Sequence, residues 1–135
     1  MGTEGYRDLR VWQRAKDLAV TIYKLTSSGP LARDFGLRDQ IQRSAVSIPS
    51  NIAEGDERDT NKDSVRFLYI AKGSLAELRT QLEIARDIGA LDPEQFTQLE
   101  VTCADIGRIW DSSLRIICLI LILGLNLLML GKKEI

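Results

Sequence analysis

The sequence predicts an all-α protein, an antiparallel up-down four-helix bundle. Apolar residues recur at spacings of three and four through four segments, and three breaks separate those segments: Ser28-Gly29-Pro30, Gly55 with the charged stretch to Lys62, and Gly89 with Asp92-Pro93. No stretch alternates apolar and polar residues as a strand does. Short connections place consecutive helices side by side, and 135 residues make one domain with room for a sizeable core.

In the first segment Val11, Ala15, Leu18, Ile22 and Leu25 form an apolar seam, widened by Leu9, Trp12 and Ala19. The second aligns Leu37, Ile41, Ala45, Ile48 and Ile52, with Pro49 inside it. Proline removes a backbone donor and crowds the carbonyl of Ala45, so a kink is expected, with Ser47, Ser50 and Asn51 as its local polar support. The third, over residues 61–88, is the most regular: Leu68, Ala71, Leu75, Leu78, Leu82 and Ala85, opened by a Thr60/Asp63 cap and stopped at Gly89. Asp92 as N-cap and Pro93 at the first helical position open the fourth, which continues through Phe96, Leu99, Cys103, Ile106, Trp110, Ser113 and Ile117. Residues 1–117 thus constitute the bundle, and 118–135 an apolar C-terminal extension of its last helix.

Composition narrows the function classes. The chain has no histidine, which removes the commonest general base, the commonest zinc ligand and the Ser-His and Cys-His nucleophile pairs, so an enzyme is not expected. No metal or other cofactor is expected either. The acids Glu54, Asp56, Glu57, Asp59 and Asp63 lack calcium-loop spacing and read as a solvated turn, and Lys72-Gly73-Ser74 lacks the strand and glycine-rich turn of a phosphate loop. Cys103 and Cys118 would stand about 22 Å apart on one helix, too far to pair, and each sits among apolar residues as a small buried hydrophobe. The first residues carry Glu4 and no apolar run, so no signal peptide and a cytoplasmic location are expected.

Net charge is only −1, but it is polarised: residues 1–45 hold eight basic and five acidic side chains, residues 46–100 six and eleven. Arg7, Arg10 and Arg14 share one side of the first helix, joined by Lys24. Lys72, Arg79 and Arg86, seven residues apart, flank the seam of the third helix, where charges select a partner helix. Glu54 and Arg58 are spaced to pair across the helix end at Gly55.

Residues 116–130 form a run of fifteen without a charge. A fourth helix extended to residue 130 would reach about 57 Å, against about 42 Å for the third, so its last turns would overhang. Such a tail packs on another subunit, folds back near Gly124, enters lipid, or is an extension foreign to the fold. The lipid alternative is the weaker, because the run spans about 22 Å against roughly 30 Å of hydrocarbon.

The string from Leu37 to Arg58, with Pro49 followed by Asn51, Glu54 and Gly55, is more distinctive than a bundle requires. Together with Asp8-Leu9, Val11-Trp12-Gln13, Phe67-Leu68, Ile70-Ala71 and Gly73-Ser74-Leu75-Ala76-Glu77-Leu78, it resembles the four-helix-bundle proteins of the 23S ribosomal RNA intervening-sequence family over roughly residues 6–117. The resemblance implies assembly as a homopentamer. It also implies kinship with the accessory variability determinant of diversity-generating retroelements, which partners nucleic acid and a reverse transcriptase. The function expected is a non-enzymatic oligomeric adaptor that binds structured RNA or DNA, or a nucleic-acid-handling protein, through basic helix faces, with Arg7, Arg10, Arg14, Arg38 and Arg43 as contact residues. Arg43 matches the Gln-Ile-x-Arg element of the family string. The alternatives are a protein–protein scaffold without nucleic-acid binding and a bundle tethered to a membrane by the tail.

Overall fold

A computed structural model describes residues 5–122. A short 3-10 turn, Gly5–Asp8, leads into α1 (Arg10–Leu25), α2 (Gly29–Arg33), α3 (Phe35–Asp56), α4 (Asn61–Asp87) and α5 (Pro93–Ile122). Among the described residues there is no strand. The long helices α1, α3, α4 and α5 are the four expected segments. The break at Ser28-Gly29-Pro30 is not bare loop: Gly29, at φ +72°, starts the short helix α2 with Pro30 in its first turn, and its Leu31 is buried. Residues 123–135, including Gly124 and most of the apolar run, lie outside the described residues.

The helix ends form where the sequence placed them. Thr60 accepts from Asp63 N at 3.2 Å, and Asp92 Oδ2 accepts from the amides of Glu94 and Gln95 at 3.1 and 3.3 Å. α4 closes with Gly89 at φ +78°: its amide donates to Arg86 O at 3.0 Å, and that of Ala90 to Ala85 O at 2.8 Å, a Schellman ending. Buried Thr26 donates its hydroxyl to Ile22 O and accepts from Gln42 Nε2 at 2.9 Å, tying the end of α1 to α3.

Around the bundle the order is α1, α3, α4, α5 and back to α1, each neighbour antiparallel. The seam residues meet on the axis, where Ile22, Ile41, Ile48, Ile52, Leu78, Leu82, Cys103 and Ile106 are fully buried. Trp110 is buried as expected, whereas Trp12 is half-buried with its ring centroid 5.2 Å from that of Tyr6. Leu25 and Leu37 pack at the edge of the core rather than within it.

α3 runs as one uninterrupted helix through Pro49. The polar residues beside the proline form a relay: Asn51 Nδ2 donates to Ser47 O and Ser47 Oγ, Ser47 Oγ lies 2.8 Å from Ser74 Oγ, and Ser74 Oγ donates to Ile70 O. The relay joins α3 to α4, so Ser47 and Asn51 have the structural role their position suggested. Glu54 pairs with Arg58 at 2.6 Å, and the Arg58 guanidinium lies 4.5 Å from the centroid of the Phe67 ring.

Across the other face of α4, the Lys72, Arg79 and Arg86 stripe seats α5. Lys72 Nζ is 3.3 Å from Asp111 Oδ1, Arg79 binds Glu100 through two nitrogens, and Arg86 stands 4.2 Å over the Phe96 ring. The bond to Glu100 raises the Arg79 pKa above its ordinary value, with burial opposing it.

Two glycines separate packing from propensity. A Cβ at Gly55 would lie 3.1 Å from both Phe67 Cβ and the Ser64 carbonyl oxygen, whereas one at Gly73 would meet nothing within 4 Å. Urea unfolding is therefore expected to show Gly55→Ala destabilised by roughly 1–3 kcal/mol through overpacking and Gly73→Ala stabilised by about 0.5–1 kcal/mol. Equal responses of the two variants would show that α3 and α4 are not held at this separation.

Candidate nucleic-acid interface

On α1 the apolar seam faces the axis, leaving two flanks. Helical periodicity puts Arg10 and Arg14 on the flank toward α5 and Trp12 and Lys16 on the flank toward α3. α5 runs antiparallel and presents Asp105, Arg108 and Ser112 at steps of three and four. Together Arg10, Arg14, Asp105, Arg108 and Ser112, with buried Ile109 below them, line a concavity of about 260 Å³.

Among the described residues Asp105 is the only carboxylate of that lining. It holds Arg14 Nη1 at 3.8 Å and bonds Arg108 Nη2, while Arg10 has no acidic partner among the described residues. Arg14 and Arg108 thus share one carboxylate, and Arg10 lines the same concavity beside them. Arg115 is exposed seven residues beyond Arg108 and so extends the same face of α5, whereas Arg7, expected on one side of the first helix with Arg10 and Arg14, lies before α1 in the Gly5–Asp8 turn, separated from the helix by the extended backbone of Leu9. The Arg7 guanidinium stacks 4.8 Å from the centroid of the Tyr6 ring, which orients it without neutralising it.

The other two predicted residues stand elsewhere. Arg38 donates to Asp39 Oδ1 and to Ala32 O at 3.1 Å and lies 4.8 Å over the Phe35 ring, so its donors serve the α2–α3 junction. Arg43 is exposed on a separate groove between α3 and α4, with Ser44, Ser47, Ser74 and Glu77, on the opposite side of the helix ring from Arg10 and Arg14. Arg108 and Arg115 escaped the sequence reading. Arg108 stands three residues from Asp105, a spacing that reads as a neutral helical pair, and only the docking of α1 against α5 shows that Asp105 is shared.

No group of three or more metal-ligating side chains is present among the described residues, and no helix there is long and apolar enough to cross a membrane. Cys103 is buried, and burial, reinforced by Glu100 and opposed by Arg79, pushes its thiol up to about 12. It is packing, not a nucleophile.

The family model for the 23S rRNA-intervening sequence protein matches residues 7–112. The chain belongs to that family. The matched region contains α1 through α4 and the part of α5 that carries Asp105, Arg108 and Ser112. Among solved structures, the chain is similar to a protein of unknown function from the S23 ribosomal protein family of Bacteroides thetaiotaomicron, at 26% identity and a TM-score of 0.69, covering 76% of this chain and 95% of that one. Among curated proteins, none matches significantly. The family string maps onto packing: Pro49 and Gly55 are buried in α3, Asn51 feeds the serine relay, and Arg58 clamps Phe67.

The buried thiol gives this chain a pH signature. Its pKa is raised from 9.0 to about 12 on folding, so its contribution to stability is complete below pH 9 and is lost as pH climbs toward 12. Denaturant titrations between pH 8 and 11 are expected to show the parent chain losing stability with pH faster than Cys103→Ala does. Parallel curves would show that the thiol is exposed.

Proposed function

We propose that this member of the 23S rRNA-intervening sequence protein family is a non-enzymatic, homo-oligomeric adaptor that binds structured nucleic acid along the α1/α5 seam. The observation that carries the reading is that Arg10, Arg14 and Arg108 line one concavity with a single carboxylate, continued along α5 by Arg115. Guanidinium forks of this kind bind phosphate oxygens and read backbone shape rather than base sequence. A net charge of −1 does not oppose this, because most acids lie outside the seam: Glu54 and Asp87 are engaged by Arg58 and Arg86, and Glu100 and Asp111 by α4.

Self-association belongs to the proposal. Ile84 on α4 and Ile88 at its C-cap are 47% and 60% exposed one turn apart, an apolar patch suited to a second copy. The homopentamer implied by the family resemblance would repeat the basic seam five times and multiply a modest local field. The same patch favours the second reading, a scaffold that engages a protein partner, such as a nucleic-acid-handling enzyme, without touching nucleic acid.

Sedimentation of the protein with a fluorescent structured RNA, following label and protein mass together, distinguishes the two. Co-migration at low salt that weakens steeply with added salt is expected, and Arg10→Glu with Arg14→Glu should reduce affinity at least about tenfold while preserving helical content. An oligomer that ignores RNA at low salt moves the function to the scaffold.

A further inference from the structure

The α1/α5 concavity differs in form from the basic stripe that contains it. A duplex or single strand lying along a helix seam offers phosphodiesters, each with one negative charge and two free oxygens. The concavity instead is lined by three arginines and one carboxylate, a formal excess of two positive charges, with Ser112 on the same rim. Two charges and four donor groups match a phosphate monoester, which carries nearly two negative charges and three free oxygens at neutral pH. The volume of about 260 Å³ admits such a group, with buried Ile109 among its lining residues.

We infer that the Arg10/Arg14/Arg108/Ser112 pocket binds a phosphate monoester, the terminal phosphate of a nucleic-acid strand, and anchors one end of the polymer on the seam. The inference rests on the nucleic-acid reading above and deepens it. Asp105 is a positioning residue here: by touching both Arg14 and Arg108 it draws one arginine from each helix to the same rim and leaves Arg10 open. Guanidinium groups held in place before binding lose less side-chain freedom when the phosphate arrives.

The experiment uses the full chain and one RNA hairpin in two forms, ended by a 5′-phosphate or a 5′-hydroxyl, with a hydroxyl-ended hairpin one nucleotide longer as the control for added charge. Inorganic phosphate is titrated separately while the arginine Nε–H signals are followed by NMR. The phosphate-ended hairpin is expected to bind about tenfold tighter than either hydroxyl-ended form, and Arg108→Gln to remove that preference. Inorganic phosphate is expected to shift the Arg108 signal and to erode the preference by competition. Equal affinity of the three hairpins, still lost on Arg10→Glu with Arg14→Glu, overturns the terminal-phosphate assignment and leaves nucleic-acid binding standing. Failure of every hairpin, with inorganic phosphate still shifting Arg108, overturns the nucleic-acid reading and keeps a monoester pocket for a small phosphorylated ligand. Silence toward all probes removes both.

Discussion

The close approach of α3 to α4 is the constraint on which the rest of the structure depends. Gly55 leaves no room for a side chain between α3 and the first turns of α4, and further along the pair Ser47 and Ser74 touch through their hydroxyls. Ser44 and Ser74 are buried where larger residues would push the helices apart. Hydroxyls hidden there must be bonded, and they are: Ser74 to Ile70 O and Ser47, Ser44 to Glu77 at 3.4 Å. The pair therefore has a defined register as well as a defined spacing, because sliding one helix would leave these hydroxyls without partners.

From that pair the remaining helices take their places by different forces. α1 is anchored to α3 by Thr26 and Gln42, and α5 is seated on α4 by Asp111, Glu100 and Phe96. Each of those ion pairs is partly exposed and contributes little to stability alone. Their consequence is positional: they set the rotation of α5, which decides that Asp105, Arg108 and Ser112 face α1. The seam is thus a product of the whole ring, since it forms between the two helices that are each attached to the central pair and not to each other by sequence.

This division explains what could be read from the chain. The helices, their caps and the seam residues were legible because periodicity and capping are local, as Thr60, Asp92 and Gly89 show. Arg10 and Arg14 were legible as a pair because four residues bring them together on one helix. Arg108 was not, because its neighbour in sequence, Asp105, cancels it on a helical wheel, and the second claim on that carboxylate comes from a helix at the far end of the chain. Arg38 and Arg43 illustrate the converse: a position in a family string says that a residue matters, and in Arg38 the donors are directed to Asp39 and Ala32 O. The α2 turn escaped notice because a glycine and a proline signal a break equally well when they start a single helical turn.

Charge along the chain and charge in space are different quantities, and the seam shows why only the second bears on ligands. By sequence the basic excess lies in residues 1–45 and the acidic excess in residues 46–100. In the folded chain acids of that stretch are held away from the α1/α5 boundary: Glu100 binds Arg79 of α4, Glu54 binds Arg58, and Asp63 lies in the first turn of α4, where the helix dipole favours it. What is left unneutralised at the α1/α5 boundary comes from two segments that composition would have assigned to different regions. A net charge near zero then limits long-range attraction without limiting contact recognition, because screening at physiological salt confines the field of each cluster to about 8 Å. A ligand carrying its own dense charge at a single point gains most from such a surface, and a uniformly charged polymer gains most when several seams are presented together.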